Sequence, residues 1–159
     1  EVDIVTGINE AYNNASLTRS IVFLKPNIVI ILDKANVSEI KYISQLFNLA
    51  PNVEIKNYHN EKAELIVNDE KVEIEQYNVV DNVNLIKPNF DEPSAVISEV
   101  TGKLKGTHQI EFNKEIKDVD YLLTVIKLGE SAIKNFKDVQ YNNGLLNILS
   151  EGKSINFYI

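Results

Sequence analysis

The chain has 159 residues, 44% apolar and 25% charged, with Gly 6 and Pro 4; that suits one globular domain able to bury roughly 70% of its unfolded surface, and excludes disordered, collagen-like and low-complexity chains. A net charge of −7, from Lys+Arg 16 against Asp+Glu 23, repels nucleic acid and anionic membrane surfaces, and no basic run offers a local exception, so neither is an expected partner. Cys 0 removes thiol catalysis, disulfides and Cys-ligated zinc, and no apolar run approaches the ~18 residues of a membrane span.

Gly7 to Tyr12 read as a polar stretch ahead of the first strands. Arg19 to Leu24 and Ile28 to Asp33 are nearly continuous β-branched, apolar runs, separated by Lys25-Pro26-Asn27 with Pro26 suited to the second position of a turn. Apolar residues on both faces of a strand require cover on both faces. A two-layer domain covers only one face, so the other is expected to be covered by the chain's own 77–93 segment or by protein outside it. The second outcome, which we favour, leaves an apolar patch near Arg19 and Tyr12 and leads to self-association. Next, Ile43, Gln45, Phe47 and Leu49 share one face of a strand ended by Ala50-Pro51-Asn52, and Val53 to Asn57 is a short strand.

Ala63 to Val67 and Val72 to Gln76 form a hairpin across Asn68-Asp69-Glu70-Lys71, with Val67 expected opposite Val72 and Leu65 opposite Ile74. Residues 77–93, with Pro88 and Pro93, read as the longest irregular stretch. Further strands are expected at Ala95 to Thr101, Thr107 to Phe112, Tyr121 to Leu128, Val139 to Asn142, Leu145 to Leu149 and Ser154 to Tyr158, and a doubtful helical window at Ser131 to Phe136. About ten short strands with regular turns and no internal repeat predict an all-β chain, an antiparallel β-sandwich.

Chemistry is sparse. There is no G-x-S-x-G elbow, P-loop, H-E-x-x-H or calcium loop, and with only His59 and His108 a zinc site would need carboxylates for most of its ligands. No metal and no cofactor are expected. Arg19 is the only arginine among sixteen basic residues. It suits either bidentate capture of a substrate carboxylate or, more simply, a structural ion pair with Asp33 at the far end of the same hairpin. His59 lies in the polar turn Asn57-Tyr58-His59-Asn60-Glu61 without an orienting partner, and His108 at a strand start, so both read as solvated side chains. Tyr12 suits stacking on a sugar ring or proton transfer, against the simpler role of a packing residue. Met 0 in a chain opening on Glu1 makes residues 1–159 an expected single domain excised from a longer protein.

The run Arg19-Ser20-Ile21-Val22-Phe23-Leu24-Lys25-Pro26-Asn27, then Ile28 to Asp33, then Tyr42-Ile43-Ser44-Gln45-Leu46-Phe47-Asn48-Leu49-Ala50-Pro51, resembles the C-terminal β-sandwich region of the heparinase II/III-like family. Tyr12 matches a tyrosine that often precedes the arginine there, and the likeness covers residues 7–52. The resemblance implies a bacterial polysaccharide lyase that cleaves uronic-acid polysaccharides by β-elimination. Its partners would be an upstream α/α-toroid of the same chain and an anionic polysaccharide, met in a secreted, periplasmic or cell-surface location. The reaction needs a base for the proton beside the carboxylate, an acid for the leaving oxygen and a group that neutralises the carboxylate. In the family these come largely from the toroid and the first part of the sandwich, as does a metal site.

Asn48 stands where the family usually has histidine, and Leu17 where the family's H-x-R pattern begins. No catalytic residue is carried over, and Tyr12 and Arg19 transfer only as candidates for lining the cleft between domains, so this chain is expected to be inactive alone. The reading from a different class is a non-catalytic carbohydrate-binding, structural or adhesive β-module. An upstream toroid with a Tyr/His pair would discriminate the two.

Overall fold

The structure, a computed structural model, describes residues 1–12 and 14–159, with the side chains of residues 11, 12 and 99 outside that description. Among the described residues there are thirteen strands and one short helix: β1 (Val2–Tyr12), β2 (Ala15–Leu24), β3 (Ile28–Asn48), β4 (Glu54–His59), β5 (Lys62–Val67), β6 (Glu70–Gln76), β7 (Asn82–Ile86), β8 (Val96–Val100), β9 (Lys103–Gly106), β10 (Gln109–Leu128), α1 (Gly129–Asn135), β11 (Phe136–Asn142), β12 (Leu145–Ser150) and β13 (Lys153–Tyr158). The chain is an all-β, antiparallel, sandwich-like fold without barrel closure. The main sheet runs β1-β2-β3-β10-β6-β5-β4 with β7 also paired to β10; β11-β12-β13 and β8-β9 form two smaller sheets.

Two strands organise everything else. β3 has 21 residues and β10 has 20, and they pair along almost their whole length. At roughly 3.3 Å per residue a straight strand of that length would run about 70 Å, far beyond a compact domain with a radius of gyration of about 15 Å. The ribbon therefore bends. A register shift between Ile116 and Asp118, with Asp118 at φ 61, marks the bulge that bends it. The distal half then lies over one face of the proximal half, close enough for Gln45 to hydrogen-bond Asp33 of the same strand at 2.8 Å.

Three layers result. On one face of the proximal sheet, Val22, Leu24, Ile28, Ile30, Leu32, Leu123 and Val125 pack against α1 and the small sheet through Ala132, Phe136, Val139, Leu146 and Ile148. On the other face, Ala63, Leu65, Val72 and Ile74 meet Leu49, Ile110 and Phe112 from around the distal half, with Val80, Val83 and Leu85 against them. Ala35, Val37, Ile116 and Ile43 close the bend. The face of β2 and β3 that carries Val22, Leu24, Ile28, Ile30 and Leu32 is thus covered by α1 and the small C-terminal sheet, while Ile21, Phe23, Val29 and Ile31 on the opposite face are half-buried.

Other boundaries move as well. The polar stretch ahead of Arg19 is β1, paired to β2 from Val2 opposite Leu24 to Tyr12 opposite Ala15. No break separates Asp33 from the Ile43 strand, and Gln109 to Phe112 and Tyr121 to Leu128 belong to one strand, β10, which Thr107 and His108 precede. β7 lies inside the segment read as irregular. The Lys25–Pro26 peptide is cis, and Pro26 takes the third position of the turn closed by Asn27 N–H to Leu24 O at 3.3 Å, not the second. The β5–β6 hairpin turns on two residues, Asn68 and Asp69, both at positive φ, so Leu65 faces Val72 and Ala63 faces Ile74. That is two residues from the expected register.

A trough around Arg19

Arg19 and Asp33 are directly opposite on β2 and β3. The guanidinium grips the carboxylate side-on: Nε donates to Oδ1 and Nη2 to Oδ2, each at 2.6 Å. Asp33 is only 5% exposed and Arg19 48%; the arginine stem spans from the buried carboxylate to solvent. The hydrogen bond to Asp33 raises the Arg19 pKa above its ordinary value, burial opposes the rise, and the Asp33 charge adds to it. Asp33 has a second buried donor, Gln45 Nε2. Gln76 Nε2 donates to Gln45 Oε1 at 2.9 Å and also to the Thr124 hydroxyl, which donates to Gln45 Oε1. Gln45, Gln76 and Thr124 are all buried, and Gln76 Oε1 has no partner among the described residues.

This polar seam runs between the two halves of the ribbon and holds the Arg19 pair in one geometry. The side-chain pattern contained its signal. Gln45 stands in an inward series with Ile43 and Phe47, Gln76 follows Val72 and Ile74, and Thr124 lies between Leu122 and Ile126. Three polar residues at inward positions of three strands are expected to meet, and sequence reading passed over them.

On either side of Arg19 the surface is hollow. A groove of about 400 Å³ has Ala35, Val37 and Leu122 among its lining and Ser16, Lys41 and Tyr42 at its polar rim. A wider hollow of about 630 Å³ continues past Arg19 between β1 and the distal ribbon, lined by Val5, Gly7, Ile8, Ile21 and Leu46. Leu17, Arg19 and Ser44 line both. Gly7 lies opposite Arg19 on β1, and a Cβ there would meet nothing within 4 Å.

The remaining candidates lie elsewhere. The backbone of Tyr12 ends β1, five residues past the one opposite Arg19, and its side chain is outside the described residues. His59 is exposed at the end of β4. His108 is half-buried and lines a separate hollow with Tyr58 and Leu85. Leu17 is half-buried on the trough wall, and Asn48 accepts a hydrogen bond from Gln109 Nε2 at 2.7 Å. Among the described residues no three His, Cys, Asp or Glu side chains converge as a metal site.

Comparison with solved structures adds the decisive likeness. The chain superposes on the heparan sulfate lyase HepC from Pedobacter heparinus with a TM-score of 0.74, over 99% of its own length at 16% identity. It is the heparinase III sandwich fold. A heparinase III described as the BT4657 gene product gives 0.75 at 16% identity over 99% of the chain, and a further heparinase III gives 0.73 at 13% over 98%. The chain spans about a quarter of those heparinase chains, 26%, 26% and 25%. No protein-family model matches the sequence, and no curated protein is significantly similar to it.

Proposed function

We propose that this chain is the C-terminal β-sandwich of a longer polysaccharide lyase that acts on uronic-acid polysaccharides by β-elimination, with its base and acid supplied by an upstream α/α-toroid of the same chain. One observation carries the reading: practically the whole chain matches one quarter of heparinase III structures, at TM-scores of 0.73 to 0.75. The residues agree with a supporting role. Arg19 offers a cation locked by Asp33, suited to meeting a carboxylate at a domain cleft. Among the described residues, neither histidine has a hydrogen-bonded carboxylate that would orient it for proton transfer. Tyr12 remains a second candidate for the cleft, and such an enzyme would meet its substrate in a secreted, periplasmic or cell-surface location.

The test compares this chain alone with its parent protein on heparin, heparan sulfate, alginate and hyaluronate, reading the ultraviolet absorbance of the unsaturated uronate. The expected result is turnover by the parent on at least one polymer and none by the isolated domain. Turnover by the domain alone, or a parent inert on all uronic-acid polymers, overturns the proposal; the second outcome favours a non-catalytic module.

A further inference from the structure

We infer that the outer face of the small C-terminal sheet, β11-β12-β13, binds a neutral, hydroxyl-rich saccharide chain, with Gln140, Asn147 and Asn156 as its hydrogen-bonding groups and Tyr158 as the platform for a ring. The inference goes beyond the lyase reading and does not rest on it. Alternation along the three strands decides which side chains share this face. Val139, Leu146 and Ile148 are buried against the proximal sheet and Phe157 packs with them. Gln140, Asn147 and Asn156 therefore point the other way. Gln140 stands opposite Asn147, and Asn147 opposite Asn156. The three amides form one row straight across the sheet, and all three are exposed.

Each side-chain amide carries two N–H donors and one acceptor oxygen. Gln140 gives one donor to Asp138 Oδ2 at 2.9 Å, while the side chains of Asn147 and Asn156 have no partner among the described residues. A sugar hydroxyl both donates and accepts, so a row of amides spaced by roughly 4.8 Å between strands offers it a succession of matching pairs. Two positions beyond Asn156, on the same face, Tyr158 is 85% exposed and stands opposite Leu145. Its ring presents an apolar body with a polar tip, which suits the apolar C–H face of a sugar beside the amide row.

Charge and area decide the occupant. The amide row and its flanking residues Tyr158, Leu145, Leu149 and Ser154 carry no charge, in a chain that is 25% charged. Asp138, on the outermost strand, is turned back on its own neighbours: it accepts from the Val139 N–H at 2.9 Å and from Gln140. With no cation in the row and a net charge of −7 around it, the face offers an anionic polymer nothing to bind. Three strands and five residues give a footprint of roughly 15 Å by 15 Å. A stable protein interface needs about 800 Å² from each partner, several times that footprint. The face is therefore too small to hold a second copy of this chain or another folded protein. A short run of sugar rings fits it.

The experiment titrates the 159-residue chain with cellohexaose, mannohexaose and xylohexaose, and with a heparan sulfate hexasaccharide for comparison, followed by nuclear magnetic resonance and calorimetry. At least one neutral hexasaccharide is expected to shift the side-chain amide signals of Gln140, Asn147 and Asn156. Its affinity should be unchanged by salt and should exceed that of the acidic oligosaccharide. Tyr158→Ala and Asn147→Ala change exposed side chains, so folding is preserved. Each is expected to lower affinity about tenfold, equivalent to about 1.4 kcal/mol, whereas Tyr158→Phe keeps the platform and most of the affinity. Absence of binding by all three neutral sugars at millimolar ligand, tighter binding of the acidic hexasaccharide, or unchanged affinity in both alanine variants overturns the site. Shifts of the same signals on raising the protein concentration alone assign the face to a second copy and overturn it as well. The two proposals fail separately: an inert parent leaves this site standing, and parent turnover does not supply it.

Discussion

Arg19 and Asp33 face one another across two strands, yet the two partners are not equivalent. Asp33 is sealed between the halves of the ribbon, and Arg19 reaches solvent. Removing the arginine strands a buried carboxylate with Gln45 as its remaining side-chain donor, whereas removing the charge of Asp33 leaves a guanidinium that water can solvate. Arg19→Ala is therefore expected to cost about 3 kcal/mol, and Asp33→Asn about 1–2 kcal/mol. Chemical denaturation of both variants measures the order, and a larger loss in Asp33→Asn would contradict this account of the pair. The pairing itself was legible as the simpler reading of Arg19, because the residues stand at matching positions of a hairpin. Gln45, Gln76 and Thr124 were not drawn into it, since their meeting depends on a strand folding over its own neighbour.

Among the elements, the β5–β6 hairpin shows what periodicity can and cannot decide. Alternation put Ala63, Leu65, Val72 and Ile74 on one inward face, and all four are buried. A slip of two residues preserves that face, so the pattern alone leaves the register open. Turn chemistry selects it: Asn68 and Asp69, at φ 49 and 66, form a two-residue turn whose left-handed backbone Asn and Asp tolerate. A β-branched residue there clashes with its own backbone, so Asp69→Val is expected to cost about 1–2 kcal/mol and Asp69→Gly to be neutral or stabilising. Equal stabilities of the two variants would refute the turn assignment. The small C-terminal sheet offers a second check. Leu146 is fully buried against the proximal sheet, and Leu146→Ala is expected to lose about 2–5 kcal/mol in a single cooperative transition; a separate early transition would mean that this sheet folds independently.

At the scale of the whole molecule, stability should be bounded on the alkaline side. Burial pulls the Lys62 ammonium down, but hydrogen bonds to Glu73 and Glu64 outweigh it and hold its pKa at about 12. Burial, the Glu75 charge and the hydrogen bond to Glu75 push the Tyr77 phenol well above its ordinary value. Both folded values are raised, so their stabilisation is complete below the unfolded values of about 10 for Tyr and 10.4 for Lys. It is lost as pH climbs through the folded ones. Melting temperature should stay level with respect to these two groups to about pH 9.5 and fall above pH 10, and Tyr77→Phe should flatten part of that fall. A Tyr77→Phe profile that falls just as steeply would remove the phenol from the explanation.

The sequence by itself determined the all-β class, the hairpin pattern, the inward faces and the need for two-sided cover over β2 and the start of β3. These are local consequences of side-chain alternation and of turn residues. Only the tertiary structure decided that the 21- and 20-residue strands run unbroken through polar stretches such as Lys34 to Glu39. It alone decided that their ribbon bends at Asp118, and that α1 and the C-terminal sheet cover the Val22, Ile30 and Leu32 face. The reason is physical: the register shift between Ile116 and Asp118 sets one residue of β10 against three of β3, a small change in the local pattern that sets the direction of everything after it. The polar seam, and the trough it supports, exist only once that direction has brought Gln45 back onto Asp33.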